Sequence, residues 1–236
     1  TTDFRTHDKY SKRLYFAFKP LWYLLHAFDW AMLDRIKLAS KLSFGFATLT
    51  KYPDADPETN TVDGYVARTT TTETWATIRS GAGTDADPIT ASLYAMGFQA
   101  STTTDQFQTL FRSIFLFDTS ALTAGATISA AVLSLFGSGK LDNLNVTPDI
   151  DIYTSTPTTN TNLVAGDYLQ VGSVSQTGSP VTYANYSAIA YNDFTFDATG
   201  LGNISKTSIS KFGARNANKD VANSAPAWTN GAESRL

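Results

Sequence analysis

The residues with the most obvious chemical potential are paired carboxylates. Asp149 and Asp151 flank Ile150, so on a strand their side chains point to the same face. Two carboxylates about 5–9.5 Å apart are what glycoside hydrolysis needs. Nothing nearby in sequence sets their acidities apart, and a solvated sheet face is the simpler reading. Asp54, Asp56 and Glu58, with Asp63 beyond, alternate along PDADPETNTVDG. That spacing can present oxygens to Ca²⁺, a weak metal candidate. Thr59 stands where an EF-hand loop requires Gly, and Pro57 stiffens the segment, so a solvated turn is favoured. Gly137-Ser138-Gly139-Lys140 has the letters of a phosphate-loop ending. Leu141 replaces the necessary hydroxyl residue and no helical pattern follows, which leaves a turn after a strand.

Other chemistries are limited by residues the chain lacks. There is no cysteine, so disulfides, thiolate metal sites and a Cys nucleophile are excluded together. The only histidines, His7 and His26, both precede residue 42, so the rest of the chain has neither a Ser-His-Asp triad nor a His-ligated metal. No cofactor is expected. Aromatic residues and amides are more promising. Trp75, Tyr94, Tyr183, Tyr186, Tyr191 and Trp228 can stack on sugar rings, with Asn185, Asn192, Asn216, Asn218 and Asp220 as hydrogen-bonding neighbours. The candidate ligand set is Trp75, Tyr186, Tyr191, Asn216, Asp220 and Trp228; the competing reading for each aromatic is core packing. Arg112 opens an apolar strand and is read as a buried arginine paired with a carboxylate such as Asp118 or Asp193. Asn145, Asn185 and Asn203 each begin an N-x-Ser/Thr triplet, a common occurrence in a chain this rich in Asn and Thr.

Composition sets the class. Of 236 residues, 42% are hydrophobic, enough for a substantial core, and only 17% are charged. Hydroxyls replace the missing charge: there are 34 threonines, a residue suited to pleated, half-exposed surfaces. Such shells accompany secreted, cell-surface and virion β proteins. Residues 1–41 carry eight Lys/Arg against four Asp, or +4, so the remainder of a −3 chain holds −7. An acidic body argues against a nucleic-acid groove.

Three segments must position these residues. Residues 1–41 form an N-terminal extension with an amphipathic to apolar helix after Pro20, in which Leu21, Leu25, Phe28 and Met32 recur at helical spacing and Trp22 and Trp30 widen the apolar surface. Those six residues are the candidate assembly contacts. Lys19, Pro20, His26 and Asp29 make a membrane span costly. Burial against a partner or the chain's own domain is favoured, with interfacial membrane contact as the alternative. Residues 42–61 connect through a strand or arm, KLSFGFATLT, and the acidic loop. From 62 to 236 strands are read at 62–68, 75–79, 91–100, 112–118, 126–136, 150–154, 168–175, 193–197 and 208–215, with a helical turn at 198–206. Short strands between Gly, Pro, Asn and Ser predict a mostly β, antiparallel sandwich.

Within that body, FRSIFLFDTSAL, ATISAAVLSLFG, DIDIYTSTP and ISKFGARN resemble the DNRLRE-type domain family. The match rests on Arg112, Phe117, Asp118, Gly125, Ala126, Ile128, Ala131, Leu133 and Leu135, and spans about residues 62–236. The resemblance implies a jelly-roll fold similar to carbohydrate-binding modules, in a secreted, surface or phage-associated setting. It also implies one more strand after the last polar loop, where NGAESRL follows Trp228. The open slot would be filled by KLSFGFATLT, by a neighbour's segment, or by residues beyond those given. The expected function is a non-enzymatic structural or adhesive subunit of an extracellular or virion assembly, a homo-oligomer or larger, docked through the N-terminal helix and by strand exchange. A carbohydrate-binding module, with a glycan as partner, is the alternative.

Overall fold

A single long strand is the spine of the molecule. The computed structural model describes residues 47–55, 57–88 and 96–236. The chain divides into two units, Thr1–Thr48 and Leu49–Leu236, and every strand and helix named below belongs to the second. The spine, β4 (Phe107–Asp118), is flanked on one edge by β1 (Asp63–Arg68) and on the other by two strands in succession. Its first half pairs with β3 (Gly97–Ala100) and its second half with β10 (Ile209–Asn216). All pairing is antiparallel. From β10 the sheet continues to β7 (Ile150–Ser155) and β8 (Val171–Ser175). From β3 it continues to β11 (Glu233–Arg235) and β6 (Leu141–Asp142), and β2 (Asp85–Asp87) borders β1. A second, two-stranded sheet pairs β5 (Val132–Phe136) with β9 (Tyr191–Thr195).

Both faces of β4 are covered, which is why it reads as a nearly continuous apolar run rather than an alternation. Leu110, Ile114 and Leu116 join Val66, Trp75, Ile78, Tyr168 and Val171 on one side. Phe115 joins Ile152, Phe212, Leu133, Phe194 and Phe196 on the other, where the β5–β9 sheet lies against the main one. The architecture is mostly β and antiparallel, as the composition predicts.

Several local expectations give way to other structure. The 75–79 segment is not a strand but a short helix, α1 (Trp75–Ser80). Thr74 caps it by accepting a hydrogen bond from the Thr77 backbone N–H at 3.3 Å, and the buried residues Trp75 and Ile78 recur at helical spacing. Of 126–136 only β5 is extended. Of 168–175 the start, including Tyr168, belongs to a 3₁₀ segment, Ala165–Gln170. The buried Asp167 holds it in place by accepting from Val164 N–H at 3.0 Å and from Thr158 N–H and hydroxyl, both at 2.8 Å. The turn at 198–206 is helix α2 (Ala198–Asn203), capped by Asp197. The segment after Trp228, expected to leave a strand position open, itself supplies β11. Its Ser234 is fully buried and donates to Asp142 at 2.7 Å. Of the 91–100 strand, residues 91–95 lie outside the described residues.

The short helical pieces on the first face are pinned by one buried charge cluster. Asp220 sits in a π-helical turn, Ala217–Val221, and is 0% exposed. Arg112 on β4 grips its carboxylate with two bonds at 2.9 Å, and Arg215 on β10 grips it with two at 2.8 Å. Arg79 of α1 donates to the Asp220 backbone carbonyl and to Asn223 at 2.7 Å. Arg112 therefore is a buried, paired arginine, but its partner is Asp220 rather than Asp118 or Asp193. Two further donors go to the carbonyls of Tyr168 at 2.8 Å and Arg79 at 2.9 Å, and its guanidinium lies 4.0 Å from the Tyr168 ring centre. Arg215 donates to Gly172 O at 2.8 Å.

Burial pushes the Asp220 carboxyl up, but bonds from Arg215 and the charge of Arg112 outweigh it and hold it below the ordinary carboxylate range. A carboxyl depressed in the folded state stabilises above its unfolded value of about 3.9 and loses that contribution as pH falls through the folded value. Asp220→Asn is expected to lower unfolding stability by about 3–5 kcal/mol at neutral pH, because two buried guanidinium groups lose their counter-ion. It should also flatten the acid limb of stability against pH. Urea unfolding from pH 7 down to pH 3 reads both effects, and a variant as stable as the parent would contradict the account.

Candidate functional site

The two-stranded sheet places an aromatic and aliphatic surface outward. Cross-strand neighbours on its outer face are Val132 with Thr195, Ser134 with Asp193, and Phe136 with Tyr191. Val132, Phe136 and Tyr191 are 54%, 61% and 66% exposed, and Ile189 in the adjoining loop is 86% exposed. Strand alternation explains this, since Leu133 and Phe194 point into the core between them. Phe136 and Tyr191 meet edge to face with ring centres 5.2 Å apart, and the Ser134 hydroxyl donates to Asp193 Oδ1 at 2.6 Å.

The loop leading into β9 is built around the buried Asn192. Its Oδ1 accepts from Ser187 N–H at 2.8 Å, and its Nδ2 donates to Ser187 O at 2.9 Å and, more weakly, to Ala190 O and Leu135 O. Gly137 is required at the end of β5, because a Cβ there would stand 2.0 Å from Ser187 O. Lys140 closes the arrangement from outside, donating to Tyr183 O at 3.1 Å and Tyr186 O at 3.2 Å while lying over the Tyr183 ring. The Gly137–Lys140 sequence is thus a turn that clamps a loop.

Beside Tyr191 this loop leaves an open cleft of about 550 Å³, lined also by Ser179, Asn185, Ser187, Asp193 and Asp197. Its other wall is the 178–181 segment. The isolated bridges Thr177–Phe196 and Ile150–Val181 fix that segment along the edges of β9 and β7. Among the described residues, the Tyr191 hydroxyl, the Asn185 side chain and Asp193 Oδ2 carry no hydrogen bond.

The structure separates most of the residues expected to form a sugar platform. Trp75 is in the core, where it packs edge-on against Phe98 and Phe107. Tyr186 is buried in the opposite core cluster. Trp228 is half-buried and donates to Ser101 O at 3.1 Å. Asn216 is buried and caps the turn that carries Asp220, and Asp220 is enclosed by arginines, so neither faces solvent. Only Tyr191, with Asn185 and Asn192 from the wider set, comes together at one cleft, and Asn192 is committed to the loop. The cleft's second wall at 178–181 and its Asp193 and Asp197 gave no sequence signal beyond their polarity.

The paired carboxylates are not a solvated face. Asp151 is buried and accepts from the Thr177 hydroxyl, and Asp149 Oδ1 accepts from Tyr183 N–H at 3.1 Å, because the 176–183 segment runs along the edge of β7. In the acidic loop, Asp54 turns inward on its own donors. The Thr59 hydroxyl and the Asn60, Thr61 and Thr59 N–H groups bring its carboxyl down to about 2. Glu58 is also described, whereas Asp56 lies outside the described residues, and among those residues no cluster of three or more His, Asp or Glu could hold a metal ion. Leu21, Trp22, Leu25, Phe28, Trp30 and Met32 lie outside the described residues too. Among the described residues, no helix is long and apolar enough to cross a membrane.

No family model matches the chain, and neither a curated protein nor a solved structure matches it.

Asn192→Ala removes the loop's internal scaffold. It is expected to raise amide exchange across residues 185–190 by about tenfold or more while costing the whole fold about 1–3 kcal/mol. Hydrogen-exchange mass spectrometry with a parallel urea curve checks this; unchanged exchange in that loop would count against the loop's dependence on Asn192.

Proposed function

We propose that this protein is a non-enzymatic structural or adhesive subunit of an extracellular or virion assembly, self-associating as a homo-oligomer. The observation that carries the reading is the outer face of the β5–β9 sheet. Val132, Phe136 and Ile189 turn large apolar side chains to water on this sheet and its adjoining loop, with the Ser134–Asp193 pair between Val132 and Phe136, and exposed apolar surface rimmed by polar groups marks contact sites on soluble proteins. The fate of the reactive groups supports it. Asp149, Asp151, Asp167 and Asp220 are each taken up by structural hydrogen bonds rather than presented as acid and base. The Thr-rich, charge-poor composition fits an extracellular or particle setting. The finer architecture that accompanies this reading is a jelly-roll-like sandwich, and the antiparallel pairing with a second sheet stacked through shared apolar residues supports it. The apolar stretch of sequence from Leu21 to Met32 would add a second contact.

A second reading, carbohydrate binding, is favoured by one specific observation: an exposed tyrosine standing beside a polar cleft.

Sedimentation of the full chain over a broad dilution series tests the first reading. The parent is expected to populate an oligomer that dissociates on dilution, and the Val132→Thr, Phe136→Ser double variant is expected to shift to monomer with an unchanged circular-dichroism spectrum. A parent that stays monomeric throughout, or a double variant that associates as the parent does, would overturn it.

A further inference from the structure

The cleft beside Tyr191 combines an exposed aromatic face with polar groups that have no partner. Tyr191 rests edge to face against Phe136, a contact that restricts its ring before any ligand arrives and so lowers the ordering cost of binding. The cleft walls are tied down as well: Asn192 bonds the loop on one side, and the 178–181 segment is bridged to β7 and the end of β9 on the other. Along the same cleft, the Asn185 amide supplies two donors and an acceptor, the Tyr191 hydroxyl a donor, and Asp193 Oδ2 an acceptor. Flat apolar surface edged by mixed donors and acceptors matches a pyranose ring, which has a C–H face and a rim of hydroxyls. Vicinal hydroxyls in particular suit a carboxylate.

The charge of the cleft narrows the ligand. Asp193 and Asp197 line it and no Lys or Arg does. An anionic sugar would face two carboxylates without a counter-ion, in a recess where their repulsion is less screened than in bulk water. At about 550 Å³ the recess holds a ring or two of a longer chain.

We infer that this cleft binds the uncharged pyranose units of an oligosaccharide, with Tyr191 stacking on one ring and Asn185 and Asp193 bonding its hydroxyls. The inference rests on the carbohydrate-binding reading and not on the self-association of the β5–β9 face. Uronic or sulfated glycans are excluded by the same carboxylates that bond neutral rings.

The test is titration of the full chain with maltohexaose, cellohexaose and mannohexaose as neutral probes and hexagalacturonate as the acidic one. Calorimetry and backbone amide shifts are the readouts. At least one neutral hexaose is expected to bind and to move amides confined to 178–181 and 185–197. Tyr191→Phe should keep that binding, Tyr191→Ala should weaken it about tenfold or more, and Asn185→Ala should weaken it without changing the melting temperature. The inference is overturned if no neutral probe moves those amides, if Tyr191→Ala binds as the parent does, or if hexagalacturonate binds most tightly. A chain that oligomerises normally but ignores every neutral probe removes the cleft's assignment and leaves the assembly reading standing.

Discussion

The fold depends on one carboxylate held by two arginine forks. Asp220 is fully enclosed, and an isolated ionised carboxylate there would be prohibitively costly. Two bidentate guanidinium partners offset that cost, and Arg79 adds a third charge, so the group carries a net +2 from one −1 and three +1 charges. Backbone carbonyls of Tyr168, Arg79, Val171 and Gly172 absorb the excess, with the Tyr168 ring beneath Arg112. Lysine could not replace either fork, since the contact needs several donors in one plane. The consequence is positional: β4, β10, α1, the 3₁₀ segment and the 217–221 turn are each tied to the same centre.

That centre covers one face of the main sheet and frees the other for a different task. On the opposite face the β5–β9 sheet packs through Leu133, Phe194 and Phe196, and its outer side turns Val132, Phe136 and Tyr191 to water. The second unit thus separates a polar lock on one face of its main sheet from an exposed aromatic and aliphatic layer on the other. The loop beside that layer is held by a smaller network, chiefly Asn192 and Lys140, which fixes it without burying it.

The sequence revealed the class of structure and the character of single strands more readily than their partners. The apolar run at 112–118 and the pattern at 208–215 were legible because a concentration of aliphatic and aromatic residues is a local signal. Arg112 was legible as a buried, paired residue. Its partner was not, because Asp220 is 108 positions away and sits in a stretch, RNANKD, that reads as a polar tail. The Asn216 cap and the five-residue spacing from Arg215 to Asp220 were the available clue. Helix α1 was missed because Thr and Trp favour strands, although burial at 75 and 78 has helical spacing. Strand β11 was missed because Glu-Ser-Arg has little β-propensity and is held instead by Ser234 on Asp142. At the cleft, Tyr191 and Asn185 were visible as residue types. Strand register sent Tyr191 outward, whereas Trp75 was drawn into the core by the apolar face of α1 and Tyr186 by the packing of the loop before β9.

Native-state hydrogen exchange of the full chain, resolved by residue, examines the central division most directly. Amides of β4, β10 and the 217–221 turn are expected to exchange together and slowest, through global unfolding alone, while the 185–190 loop exchanges through local opening with β5 and β9 still protected. If the 217–221 turn instead opens locally while β5 and β9 remain closed, the buried Asp220 is not what holds this protein together.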